Sequence, residues 1–594
     1  MESLNLVMTN SHALYANLPQ PVCNLGGVSR SSRTSARRRN NVVWCKGGER
    51  LWLDRRELLL ASTSAIAVGV TKKAAAKPMP PPDLSKCHKP DTAPADAQNL
   101  NCCPPYSEKA VDFELPINLP MRVRPSAHDV SDKYVETYTR AVQLMRELPS
   151  DDPRSFTQQA NVHCAYCDGA YYEGSLPVEL QIHNSWFFLP WHRWYLYFHE
   201  RILAKLVGDD NFALPFWNWD APAGMTFPSM YSHQGTPLYD ELRNPDHMPP
   251  TKIDLNYSPN ENPSTLTDPE LVASNTNLMY RQIVSGAKTT KLFQGQPYRY
   301  GTNPDPGAGT LENAPHGPVH VWTGSPAQPN IEDMGNFYSA ARDPVFFAHH
   351  ANVDRMWTIW KSLGGKRRVD FNEPDYLQSE FLFYDENARL VRVKVADALD
   401  PKNLMFSYQK VDIPWINARP KKSSVTTQVA SSFGTPAAIA AGHIAEFGSR
   451  ARKLVVPITA LVKRPKKKRS DKEIEDETEE VLVIEGIEVK RGVAVKFDVF
   501  INLAEADSNT AISCPEYAGT FSNVPHHHEH GDESAKENAN KKNPFRKSSF
   551  RVGITEILED LGATEDENIV VTLVPKGDFK ANPIKISSIK IDYD

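Results

Sequence analysis

The segment WHRWYLYFHERILAKLVGD, residues 191–209, restricts the fold of this chain more than any other stretch. Its pattern predicts a helix, and aromatic residues fall on several of its faces instead of one stripe. A helix that is apolar on most sides must be enclosed by other elements, so this one belongs at the centre of a helical unit. Two more helices are predicted around it. Residues 130–150 carry apolar side chains at helical spacing, with Ser131 as N-cap and Leu148-Pro149 as the stop. Residues 343–365, DPVFFAHHANVDRMWTIWKSLGG, end on Gly364-Gly365. Between 210 and 310 the chain is rich in Pro, Asn, Asp and Gly, which predicts long loops around short helices. The first large unit, residues 77–417, is therefore expected to be a mainly α helical bundle with long loops.

The pattern changes near residue 418. Residues 418–453 are small, polar and without periodicity, and are expected to form a protease-sensitive linker. Beyond it, LVVPITALVKR, EEVLVIEGIEV, AVKFDVFINL, SSFRVGITEIL and NIVVTLVPK are short Val/Ile-rich runs separated by turn residues. They predict an all-β sandwich over residues 454–594. The basic-then-acidic run 463–480 reads as a solvated hairpin tip.

The N-terminus is not part of this fold. Arg30, Arg33, Arg37, Arg38, Arg39, Lys46 and Arg50 face only Glu2 and Glu49 in the first fifty residues, among many serines. A basic, Ser-rich, acid-poor start is the composition of an organelle transit peptide. The pair Arg55-Arg56, the apolar run Leu58–Val70 and Ala74-Ala75-Ala76 follow. That run is shorter than the roughly 20 residues a membrane span needs. With the twin arginines and the small-residue site it reads as a Tat-type export signal. Residues 1–76 thus spell a two-step address, chloroplast and then thylakoid lumen, with the Tat machinery as a partner and Lys77 as the approximate mature start. No stable membrane span is expected. A formal net charge of −5 excludes a nucleic-acid binder that relies on bulk positive charge.

An exported compartment permits disulfides. Of the mature cysteines, Cys102 and Cys103 are adjacent and are expected to reach different partners, with Cys87 and one of Cys164 and Cys167 the nearest. Two bridges pinning a Pro-rich arm, residues 77–125, to the body are expected, with the connectivity open.

The chemistry lies in the histidines. His163 sits in NVHCAYC, His183 in QIHNSW, and His192 opens the aromatic helix. Downstream, ENAPHGPVHVW puts His316 and His320 four residues apart, on one face of a helical turn. His349 and His350 are adjacent on a helix, so only one of them can face the same way as that pair. The result is two sets of three imidazoles. The first set has no Asp or Glu at matching spacing, which argues against the carboxylate-containing zinc-hydrolase and di-iron sites. Three neutral imidazoles per metal suit copper, whose affinity tops the divalent series. His526, His527, His528 and His530 have no spaced partner and read as a solvated loop.

HCAYC, LPWHRWYLYFHERIL, ALPFWNWDAP, HGPVHVWTG and DPVFFAHHANVDRMW resemble the type-3 copper signatures of plant polyphenol oxidases, the catechol oxidase/tyrosinase family. The resemblance runs from the double targeting signal to the C-terminal KFDVFINL module. It implies two copper ions, CuA on His163, His183 and His192 and CuB on His316, His320 and His350, with His349 as a packing neighbour. It implies a thioether between Cys167 and His183, and disulfides Cys87–Cys103 and Cys102–Cys164. It also implies a latent enzyme that oxidises o-diphenols with O2 to o-quinones and water, with some monophenol hydroxylation. Its C-terminal domain would cover the site until a protease cuts the linker. Glu312 matches the family's water-orienting glutamate, Phe337 its aromatic gate, and Gly317 the position where some tyrosinases carry Asn. Asp354 fits a supporting or capping role. Phe406-Ser407-Tyr408 departs from the usual Tyr-x-Tyr, so one phenol hydroxyl is missing. His199 stands where an aromatic is more usual and reads as surface or supporting. The same site would serve a specialised aurone- or betalain-type oxidase, and its dicopper geometry is shared with haemocyanin-like oxygen carriers.

Overall fold

The computed structural model describes residues 41–43, 51–53, 76–90, 100–117, 119–421, 451–465, 478–525 and 545–594. Residues 1–75 and 76–594 form separate compact units. In the first, β1 (Asn41–Val43) and β2 (Leu51–Leu53) pair antiparallel. The remainder of the targeting segment, residues 422–450 of the linker, residues 466–477 of the charged run and the histidines at 526–528 and 530 lie outside the described residues.

In the second unit the helices form where sequence supplies caps and apolar faces. In α1 (Asp132–Glu147) the Ser131 side chain accepts from the Tyr134 amide, and Tyr138, Ala141, Val142 and Met145 are buried. In α2 (Phe156–Cys167) Ser155 caps the Gln158 amide, and Gln159 to Cys167 are all buried. In α3 (Phe188–Val207) every residue from Phe188 to Ala204 is buried. Gly208 ends α3 in the left-handed region, φ 68°, where a Cβ is strained. Further along are α4 (Asp268–Met279), α5 (Gly317–Thr323) and α6 (Val345–Ser362). His199 is fully buried, lying flat on Phe347 with ring centroids 3.5 Å apart, so its reading as a surface residue is corrected. An α3 that is enclosed on all sides leaves it no route to solvent.

The N-terminal arm adds strands to the helical unit. Its β3 (Val111–Asp112) and β4 (Arg122–Arg124) precede the helices. From the chain beyond α6, β5 (Glu380–Tyr384) and β6 (Leu390–Lys394) form a hairpin, with β3 parallel to β6. β4 runs parallel to β7 (Phe406–Tyr408). The disulfides are Cys87–Cys103 and Cys102–Cys164. Only the second ties the arm to a core helix, α2; the first closes a loop within the arm, so one bridge and not two joins arm to body.

A buried ion network joins arm, helices and β7. Glu200 of α3 accepts from Arg122 Nε at 2.9 Å, Arg124 Nε at 2.8 Å and the Leu214 amide at 2.9 Å. Arg124 Nη1 donates to the Tyr408 hydroxyl at 2.9 Å, which donates to Asp354. Asp354 also accepts from Arg193 Nε at 2.6 Å. Tyr408, the one phenol of the Phe-Ser-Tyr triplet, makes both of these hydrogen bonds. Phe406 serves differently, packing its ring 3.9 Å from the Arg124 guanidinium.

The C-terminal strands are β8 (Arg452–Leu454), β9 (Ile458–Lys463), β10 (Glu480–Lys490), β11 (Val495–Ile501), β12 (Tyr517–Asn523), β13 (Phe545–Gly553), β14 (Asn568–Pro575), β15 (Ile584–Ile586) and β16 (Ser588–Tyr593). They form one sheet ordered β13-β10-β15-β8, with β16 also on β10, and a second ordered β12-β11-β14-β9. Leu482, Ile484, Phe550 and Val552 of the first meet Phe497, Val499, Phe521 and Leu573 of the second in one core, which makes a β-sandwich. β9 and β10 belong to different sheets, so the two strands flanking the charged run are not the arms of one hairpin. The run SSFRVGITEIL supplies a strand and then a short helix, Thr555–Asp560.

Candidate metal centre

Four helices, one loop and one π-helical turn bring the histidines together. α2 carries His163 and α3 carries His192, while His183 lies on the loop between them. His316 closes a π-helical turn, Glu312–His316, interrupted by the extended backbone of Ala314 and by Pro315. α5 carries His320, and α6 carries His349 and His350. His163, Cys167, His183 and His192 form one cluster with ligand atoms within 4.8 Å of one another. His316, His320, His349 and His350 form a second with the same limit. The clusters face each other: the His192 and His350 rings stack with centroids 4.3 Å apart.

The main chain orients these rings. His163 Nδ1 pairs with the Phe337 carbonyl at 2.9 Å, and His192 Nδ1 with the Phe188 carbonyl at 2.7 Å. His316 Nδ1 pairs with the Glu312 carbonyl at 3.2 Å, and His320 Nδ1 with the Met334 carbonyl at 2.7 Å. A carbonyl only accepts, so each Nδ1 carries the proton and each Nε2 is left with its lone pair. Nε2 of His192 and of His316 is buried, with no hydrogen-bond partner among the described residues. His320 and His350 point their Nε2 atoms at each other, 3.2 Å apart. Burial holds the rings neutral, taking His192 down to about 3 and His320 to about 4. Burial likewise lowers His316 and His350 well below the ordinary value. Neutral buried lone pairs converging on two points are what a pair of soft-to-borderline cations requires. The donor set fits two copper ions.

His349 differs from the other members of its cluster. Its Nδ1 accepts from the Trp219 indole N–H at 3.2 Å. An indole nitrogen is donor only, so the neutral His349 ring carries its proton on Nε2 and offers no lone pair there. Sequence spacing allowed either histidine of the pair to face the cluster; the Trp219 contact, invisible in the sequence, separates them.

The other named residues are close at hand. Phe337 stacks on His183 with centroids 3.9 Å apart, while its carbonyl orients His163. Glu312 is buried, and its carboxylate accepts from the Asn184 amide at 2.6 Å. Burial pushes its pKa up to about 8, against the Asn184 hydrogen bond and the field of Arg546. Cys167 is outside both disulfides, fully buried, with its thiol pKa raised well above the ordinary value by burial. Asp354 stands apart from the clusters in the Arg193–Tyr408 network.

The C-terminal sandwich closes the site. A pocket lined by Asn184, Glu312, His316, Gly317 and Phe337 is shut by Ser522, Asn523, Val524 and Arg546 of the sandwich. The remaining space is about that of one water molecule. Ser522 Oγ donates to the Asn313 carbonyl. A Cβ on Gly317 would lie 2.5 Å from Ser522 Oγ. These closing residues were not found from sequence, because β12 reads as an ordinary sandwich strand until it is seen against α5.

Residues 153–363 match the common central domain of tyrosinase, residues 370–421 the polyphenol oxidase middle domain, and residues 451–593 the chloroplastic polyphenol oxidase C-terminal domain. A chloroplastic polyphenol oxidase of Malus domestica is 50% identical over 550 residues, 91% of this chain and 89% of that protein. An aureusidin synthase of Antirrhinum majus is 49% identical over 523 residues, 87% of this chain and 89% of that protein. Among solved structures, latent apple tyrosinase aligns with a TM-score of 0.73 at 49% identity, covering 82% of this chain and all of that one.

Proposed function

Since the chain belongs to the tyrosinase family, in its plant polyphenol oxidase branch, we propose that it is a latent copper-dependent catechol oxidase of the chloroplast. The observation that carries this reading is the pair of facing imidazole clusters, with main-chain carbonyls fixing Nδ1 of four rings. His163, His183 and His192 hold CuA, and His316, His320 and His350 hold CuB. Copper held there would supply the exchange of electrons between the phenol and dioxygen. Two catechols each lose two electrons and two protons, and one O2 becomes two waters. The chain's own contribution is to bury all six rings and to aim four of them through main-chain carbonyls. Phe337 covers His183, and Glu312 stands at the pocket wall as the group that orients water or takes a phenolic proton. A thioether from Cys167 to His183 fits a buried thiol whose sulfur lies within 4.8 Å of the ligand nitrogens. It would lock the ring on the loop that no helix holds. Residues 77–417 form the catalytic domain, 418–453 a linker cut by an activating protease, and 454–594 the cover. Residues 1–76 direct the chain through the Tat machinery to the thylakoid lumen. A narrower role in aurone formation is the second reading, favoured by the likeness to the snapdragon aureusidin synthase.

The test is oxygen uptake by the copper-loaded chain with a catechol and its matched monophenol, before and after limited proteolysis in the linker. Uptake with catechol should rise at least tenfold on cleavage. Reversible oxygen binding without turnover after cleavage would point to a carrier, and turnover of chalcones alone to the aurone reading. A second expectation concerns the closed state. Gly317→Ala puts a Cβ against Ser522 Oγ and forces it off the Asn313 carbonyl. Losing that hydrogen bond costs about 1 kcal/mol, or roughly a fivefold shift toward the open cover. The uncut variant should therefore show several-fold higher catechol uptake than the uncut parent, and equal uptake would show that the cover does not bear on Gly317.

A further inference from the structure

We propose that Asp305 sets substrate preference in the opened enzyme, selecting catechols whose side chain carries a protonated amine. The proposal rests on the phenol-oxidase reading of the site and names the substrate class that this site favours. In the closed chain Asp305 is 7% exposed. Among the described residues, every hydrogen bond to its carboxylate comes from the cover. Arg546 Nε donates to Oδ2, Arg546 Nη2 to Oδ1 at 3.1 Å, and Ser548 Oγ to Oδ1 at 2.8 Å. Arg546 is in turn steadied by the Asn523 side chain at 2.7 Å and reaches the pocket that contains Glu312, His316 and Phe337. A cation supplied by the cover therefore sits at the mouth of the copper site, held by a carboxylate of the catalytic domain.

When the cover leaves, the cation goes and the carboxylate stays. The catalytic domain itself holds the backbone of this loop. The Asp305 amide donates to the Asn303 side chain at 3.2 Å, whose amide donates back to the Asp305 carbonyl at 3.0 Å. The Gly307 amide donates to the carbonyl of Asn184, the residue after His183, at 3.0 Å, and the Gln296 amide to the Gly307 carbonyl at 2.9 Å. A positioned carboxylate that has lost its guanidinium attracts a new cation and repels an anion. An ammonium on a two-carbon tail from the ring, as in dopamine, can take the place of Arg546. The carboxylate of a hydrocinnamic-type catechol is disfavoured there. The redox chemistry is unchanged, two catechols giving two quinones while one O2 becomes two waters; only the order of preference is set.

The test compares the linker-cleaved, copper-loaded chain with its Asp305→Asn variant on dopamine, 4-methylcatechol and 3,4-dihydroxyhydrocinnamate. The ratio of kcat/KM for dopamine to that for dihydroxyhydrocinnamate should fall about fivefold in the variant, the upper end of what a partly exposed ion pair contributes. In the parent it should also fall as salt shortens the screening length from about 10 Å to about 3 Å. A salt-insensitive ratio that Asp305→Asn leaves unchanged overturns the proposal. Calorimetric binding of phenethylamine and hydrocinnamate, which carry no oxidisable catechol, separates this from the parent reading. If no catechol is oxidised yet phenethylamine binding weakens fivefold in the variant, the cation site stands and the oxidase reading falls. If catechols are oxidised and both compounds bind parent and variant alike, the oxidase reading stands and the cation site falls.

Discussion

Replacing His350 with alanine should abolish catechol-dependent oxygen uptake and halve the copper content, while replacing its neighbour His349 should leave copper content unchanged. Both rings are fully buried and both belong to the second cluster. Burial and cluster membership therefore cannot tell them apart; the protons can. His320 has its Nδ1 proton on the Met334 carbonyl, so its Nε2 lone pair faces His350 Nε2 at 3.2 Å. That separation is close to what two ligand atoms each about 2.0 Å from one metal would show. Truncating His350 removes one of the three proposed donors of the second site. His349 is committed to Trp219, which forces its proton onto Nε2. Metal analysis of the two variants decides the matter. Halved copper in His349→Ala with full copper in His350→Ala would reverse the assignment.

The second large effect is on stability. Glu200→Gln should destabilise the chain by about 3–5 kcal/mol, the cost of removing one partner from a buried ion network. Arg122, Arg124 and Glu200 are all fully buried, and among the described residues Glu200 is the only carboxylate bridging the two guanidiniums. Without its charge they stay buried with Asp354, 3.6 Å from Arg124 Nη1, as the nearest compensation. The same group predicts a pH dependence. Burial alone would raise the Glu200 pKa, but Arg124 and Arg122 outweigh it and hold it below its ordinary value of 4.5. Its contribution is therefore complete above that value and is lost as pH falls through the lower folded value. Unfolding midpoints at neutral pH should differ strongly between parent and Glu200→Gln, and the gap should narrow in acid. A gap that is small at neutral pH, or that widens in acid, would show that Glu200 is not what holds the arm.

Much of this was legible in the sequence, because the informative residues declare themselves locally. The all-round aromatic pattern of α3 required burial, and Ser131 and Leu148 marked the ends of α1. The Val/Ile runs after 454 alternated as sandwich strands do. What stayed hidden depends on contacts between distant segments. His199 looks polar in a list, yet Phe347, a residue 148 positions away, lies flat on it. Trp219 is an ordinary aromatic until it is found on His349. β12 carries no mark of a lid, since Ser522 and Val524 acquire that role only by facing Gly317. Likewise β9 and β10 are neighbours in sequence and part company into different sheets.

The product proposed for this chain is an electrophile, and the state of its sulfur atoms bears on how long it survives its own chemistry. A quinone arylates thiolates, not disulfides and not protonated, enclosed thiols. Among the described residues, Cys87, Cys103, Cys102 and Cys164 are spent in disulfides. Cys167 is sealed in the core, and it is no thiolate either as the proposed thioether or as a thiol, whose pKa burial raises well above the ordinary value. Cys514, partly exposed, has its pKa pushed up to about 12 by burial and by the Glu516 charge. Near neutral pH none of the six presents an accessible thiolate. The two disulfides, one within the arm and one from arm to core, thus also remove soft nucleophiles from a protein that works beside a stream of alkylating molecules, leaving amines as the residual targets of self-inactivation.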